Sequence, residues 1–139
     1  MRNRIAWLAL LALVAAGTAG AAGEKGDPFR GKLFPPNVIL EHREALDLTR
    51  AQFTAIREAV VKVQADIAEH EWDLQEAYQE IMQSLDQKPI DEQKTLGHVS
   101  RALAAENEVK KKQMTMLIRI RNLLTDEQVA YLEQLGAAQ

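Results

Sequence analysis

The residues from Leu48 to Asp86 constrain this chain more than any other stretch. Apolar or small side chains recur there at Phe53, Ile56, Val60, Val63, Ile67, Leu74, Ala77, Ile81 and Leu85. The steps alternate between three and four residues as far as Ile81, which is a heptad seam, and one slot is filled by His70 instead. Such a period describes a helix that packs along its length against another helix. No Gly or Pro interrupts it. At about 1.5 Å per residue it spans roughly 55 Å, longer than a compact domain of this size is wide. An elongated molecule that works through its surface is therefore expected.

Gln87-Lys88-Pro89 breaks the pattern. The break is short, so the flanking helices are expected to fold back as an antiparallel hairpin. Asp91 suits the N-cap of the second long helix, which runs to about Leu124. Its seam reads as Leu96, Val99, Leu103, Leu117, Ile120 and Leu124. Glu106, Lys110 and Gln113 fall on the spacing between, while Val109 and Met116 are offset. Pro35-Pro36 opens a short helix over Asn37–Leu46, and a last helix runs from Asp126 to Leu135 with Gly136 as its stop. The expected fold is all-α: a long bent antiparallel hairpin with two short flanking helices. A hairpin this thin leaves apolar surface uncovered, so a homodimeric cradle is expected.

Ahead of the helices, Arg2 and Arg4 precede an apolar run from Ile5 to Ala16, and Ala19-Gly20-Ala21 offers small residues for cleavage. This pattern is an export signal, residues 1–21. Residues 22–36, rich in Gly and charge, read as a flexible arm with Phe29, Leu33 and Phe34 as anchors, and 37–136 as one domain. The chain carries a net charge of −3, and −5 once Arg2 and Arg4 are removed, which argues against a nucleic-acid partner. It has no cysteine, hence no disulfide and no thiolate metal site.

Charge is divided between the long helices. Arg50–Asp86 has a net charge of −5 and Asp91–Leu124 of +3. Lys110, Lys111, Lys112, Arg119 and Arg121 form a basic run suited to steering acidic partners. No phosphate loop, His-Glu-x-x-His pair or nucleophile setting occurs, so no enzyme is expected. The histidines are His42, His70 and His98, with His42 and His98 read as solvent-facing. A hairpin folded around Lys88 sets His70 opposite Glu106, where the two can satisfy each other. His42, His70 and Glu106 are the candidate ligands should a divalent transition metal bind; otherwise no cofactor is implied.

Two copies of one local motif bracket the long helices: Leu48-Thr49-x-x-Gln52 and Leu124-Thr125-x-x-Gln128. Each places Thr at the N-cap and Gln three residues on, a capping box, with Leu48–Phe53 and Leu124–Val129 as staples. With the paired motif and the helix layout, the region Leu33–Gln134 resembles the Spy/CpxP family of periplasmic stress proteins, and also the CnrX-type heavy-metal sensors. The resemblance implies a periplasmic, ATP-independent chaperone or envelope-stress adaptor. Its homodimer would receive unfolded clients on an apolar and basic surface. Met114, Met116 and the basic residues above are the candidates for that surface by resemblance. It also implies a metal sensor, or a subunit that regulates a membrane sensor protein, as alternatives. The sensor pattern of His-x-x-x-His and His-x-x-x-Met is missing, since Leu46 follows His42 and Ala102 follows His98 at that spacing. Read as a cap, Thr49 has a defined worth. Thr49→Ala is expected to lower unfolding stability by about 1 kcal/mol in a denaturant titration; no loss would show that the motif does not cap.

Overall fold

The computed structural model describes residues 28–138, and the expected signal peptide lies outside them. Four helices follow in order: α1 (Pro36–Glu41), α2 (Arg50–Leu85), α3 (Glu92–Leu123) and α4 (Asp126–Ala137). Among the described residues the only β feature is an isolated bridge between Arg30 and Leu33. The fold is all-α, with α2 and α3 as the antiparallel pair. No described helix is long and apolar enough to cross a membrane.

Each long helix begins where its sequence supplies a cap. The Thr49 hydroxyl accepts the Gln52 N–H at 3.1 Å, and the Gln52 carbonyl accepts the Thr49 N–H at 3.1 Å. Asp91 accepts the Lys94 N–H at 3.0 Å at the start of α3. The chain turns between α2 and α3 over residues 86–91, where the Lys88–Pro89 bond is cis.

The core is uneven along the hairpin. At the proximal end, where α2 starts and α3 ends, Ile56, Val63, Met116 and Ile120 join Phe34, Ile39, Leu46 and Leu132 in one cluster. Here α1, the segment before it and α4 all cover the two long helices. At the distal end only Leu74, Ala77, Ala102 and Ala105 are buried together, with Ile81 beside them. Two helices alone bury little, and small side chains suit a close approach between them.

Several expectations need correction. In the distal half of α3 the seam lies one residue earlier than read from the sequence: Thr95 and Ala102 are buried, while Leu96 and Leu103 are each 53% exposed; at the proximal end Ile120 is buried as expected, with Leu117 and Leu124 packed against the same cluster. The apparently offset Val109 and Met116 are the seam itself. On α2, Ser84 is buried and Leu85 exposed, because the three-residue step from Ile81 keeps the alternation and a second successive step of four, to Leu85, leaves the seam. Helix α1 stops at Glu41; turns carry the chain through buried Leu46 to Asp47, which adopts a left-handed φ of 48°. Gly136 lies inside α4 and does not end it. A Cβ there would make ordinary van der Waals contact with the Gly31 Cα, at 3.4 Å. In the arm, Phe34 is buried as expected of an anchor, under the Arg121 guanidinium and 5.5 Å from it to the ring centroid, whereas Phe29 is 46% exposed. Arg121 also donates to the Lys32 carbonyl.

The unequal core has a measurable consequence. Ile120 is fully buried in the larger cluster, so Ile120→Ala is expected to cost about 3 kcal/mol. Leu96→Ala, on open surface, is expected to stay within about 0.5 kcal/mol. Equal costs in chemical denaturation would contradict this division of the hairpin.

Candidate functional site

The two capping glutamines meet. Helix α2 starts beside the junction of α3 and α4, so Gln52 and Gln128 stand face to face. Gln52 Nε2 donates to Gln128 Oε1 at 2.7 Å, and Gln128 Nε2 donates to Gln52 Oε1 at 3.1 Å. Each oxygen also accepts its own cap N–H, at 3.1 Å from Thr49 and 2.9 Å from Thr125. Each nitrogen also donates to a carbonyl: Gln52 to Leu123 at 2.9 Å, Gln128 to Leu46 at 3.0 Å. A primary amide offers two donors and two acceptor sites, and both amides use all four. Gln128 is 7% exposed, where any missing partner would be costly. The paired motif is therefore a structural tie as well as two caps.

The distal hairpin has two unlike sides. Tyr78 donates to Glu106 at 2.6 Å and marks one side. In α2, Met82 and Leu85 continue the row from Tyr78 at steps of four and three. In α3, Leu103, Val99 and Leu96 continue the row from Glu106. Tyr78, Met82, Leu85, Leu96 and Leu103 are all exposed there. The hydrogen bond to Glu106 and then partial burial push the Tyr78 phenol above its ordinary value, since ionising it would set two anions together. On the other side, Glu80 contacts His98 Nδ1 at 2.8 Å and pairs with Arg101, which lies 3.8 Å from Glu76.

That polar side continues proximally into a groove of about 390 Å³ between α2 and α3. Lys62, Asp66, Glu108, Lys111, Lys112 and Arg119 line it above Ala59, Val63 and Met116. Asp66 sits between Lys62 at 3.4 Å and Lys112 at 3.6 Å, joining the two helices. Partial desolvation raises the Asp66 carboxyl, but Lys62 and then Lys112 outweigh it and hold it below the usual carboxylate range. The hydrogen bond from Lys111, at 2.9 Å, and its charge likewise depress Glu108.

The candidate surface residues therefore do not form one surface. Lys111, Lys112 and Arg119 line the groove; Met116 is buried in its floor, and Lys110 and Met114 lie outside it. Arg121 is occupied with Lys32, Phe34 and Glu133. The expected His70–Glu106 contact is not made. The observed register pairs Glu80 with His98 and Asp66 with Lys112, two residues beyond a fold centred on Lys88. His70 therefore faces toward Glu108, close enough to lower its carboxyl slightly, and Glu106 takes Tyr78. His98 is half-buried against Glu80 and does not face solvent. His42 packs edge-on to Tyr131, centroids 6.0 Å apart. His42, beyond α1, and His70, about 30 Å along α2 from its start, are not gathered with Glu106. No group of three or more His, Asp or Glu among the described residues is placed to hold a metal. The sequence reading missed the apolar row and the Glu80–His98–Arg101 cluster. The small residues Ala77, Ala102 and Ala105 at three-and-four spacings were the available signal for both.

Comparison with protein-family models, with curated proteins and with solved structures finds no match.

The amide tie can be measured with near-isosteric changes. Gln52→Met and Gln128→Met each strand the other amide, so each is expected to cost about 1–3 kcal/mol. The double variant should cost less than the two added together, with coupling above about 1 kcal/mol. Coupling below about 0.5 kcal/mol, as for independent sites, would reduce the motif to two separate caps.

Proposed function

We propose that this protein acts in the bacterial periplasm as an ATP-independent chaperone or envelope-stress adaptor of the Spy/CpxP kind. The observation that carries the reading is the row of exposed apolar side chains on the distal hairpin: Tyr78, Met82, Leu85, Leu96 and Leu103. Helices α2 and α3 are well formed there, yet among the described residues no further element covers this side. Unfolded chains expose apolar segments, and an open strip binds them by area burial without requiring one sequence. Unbranched Met82 adapts to different shapes. No nucleotide is needed, because binding and release follow the client's own folding. The export signal and the paired motif support the compartment and the family. The homodimer belongs to the same proposal, since a second copy pairing beside this strip would extend it.

The test is light scattering from an aggregating unfolded client, without ATP, with and without zinc. The wild type is expected to suppress aggregation in both conditions. Leu96→Glu with Leu103→Glu should keep the melting temperature, since both sites are exposed, and lose most of the suppression. Full suppression by that variant would overturn the reading. Strict dependence on zinc would favour the metal-sensing alternative.

A further inference from the structure

We propose that the proximal groove between α2 and α3 is a binding site for a compact multivalent oxyanion, a ligand carrying two or more phosphate groups. The inference stands apart from the chaperone reading: the groove lies on the polar side of the hairpin and shares no residue with the apolar row.

The charge balance comes first. Four cations, Lys62, Lys111, Lys112 and Arg119, face two carboxylates, Asp66 and Glu108. Both carboxylates are already engaged. Asp66 is shared between Lys62 and Lys112, and Glu108 holds Lys111. Arg119 has no hydrogen-bond or ion-pair partner among the described residues. Two positive charges remain uncompensated in one concavity.

The spacing on the helices explains why they converge. In the run Lys110–Lys112 each step turns the side chain by about 100°, so Lys111 and Lys112 enter the groove and Lys110 does not. Arg119 follows Lys112 by seven residues, two turns further on the same side. Lys62 reaches in from α2. An oxyanion seated here would therefore touch both helices and brace the hairpin.

The ligand class follows from the shape and donors. A volume of about 390 Å³ is at the lower end of small-molecule sites and holds a compact ligand. The planar guanidinium of Arg119 grips a phosphate with two parallel hydrogen bonds, and the ammonium groups serve as point charges around it. A single phosphate uses part of this set, and two or three linked phosphates engage more of it.

The probe is sodium tripolyphosphate, followed by thermal shift and by isothermal titration calorimetry. Sodium chloride at matched ionic strength and inorganic phosphate are the comparisons. Tripolyphosphate is expected to raise the melting temperature by several degrees, phosphate by less, and chloride not at all. Arg119→Ala should leave the unliganded melting temperature unchanged and weaken tripolyphosphate about tenfold, the worth of one charged hydrogen-bonding partner. Lys62→Ala, on the opposite helix, should also weaken it, and Lys110→Ala, outside the groove, should not. A shift no larger than that in chloride overturns the proposal. So does equal binding by Arg119→Ala and the wild type, or an equal loss in Lys110→Ala, which would indicate attraction to basic charge in general.

Discussion

The reciprocal amide pair of Gln52 and Gln128 is the contact on which the rest of this structure depends. It joins four chain segments at one point. Gln52 caps the start of α2 and closes the last turn of α3 through Leu123; Gln128 caps the start of α4 and holds the chain leaving α1 through Leu46. A helix end leaves backbone groups unpaired, and here the ends of three helices and the exit of a fourth settle their needs on two side chains. Because α1 and α4 are short, neither is stable alone in water; the tie and the apolar cluster beneath it keep them in place.

That placement divides the hairpin. The proximal half is dressed by α1, α4 and the docked segment at Phe34, and it holds the larger apolar cluster. The distal half consists of two helices packed through alanines and one leucine. Close packing through small residues leaves the larger Leu96 and Leu103 on the flank. The same economy that thins the core thus produces an open apolar strip. Binding surface and weak core are two results of one choice of side chains. The opposite side of the hairpin, by contrast, is bound together by polar contacts, from Glu80 with His98 and Arg101 to the Asp66–Lys112 ion pair.

Much of this was legible in the sequence, and the limits are instructive. The caps at Thr49, Asp91 and Thr125 were readable because capping is local: a side chain and a backbone N–H three residues away. The long helix and its partner followed from periodicity. The α3 seam was misread because hydrophobicity favours Leu96 and Leu103 over Thr95 and Ala102, while packing distance favours the small ones. One residue of rotation then moved the basic run as well, sending Lys111 and Lys112 to one side and Lys110 to the other. The turn at Pro89 fixes the register only to within two residues, enough to exchange Glu108 for Glu106 opposite His70. The meeting of Gln52 and Gln128 was not readable, since it depends on how α4 returns to the start of α2. Gly136 misled for a similar reason. As a sequence signal it is a helix stop; in the fold α4 runs through it to Ala137.

The central claim is that a tied proximal end carries the stability and leaves the distal end open. Amide hydrogen exchange resolved along the chain, at a concentration low enough to keep single chains apart, tests it most directly. The account predicts the slowest exchange in α2 up to Ile67 and in α3 from Val109 onward, with α4 protected alongside them. Residues on either side of the turn at Pro89 should open independently and sooner. Protection equally high along both halves of the hairpin, or higher at the distal end, would contradict it.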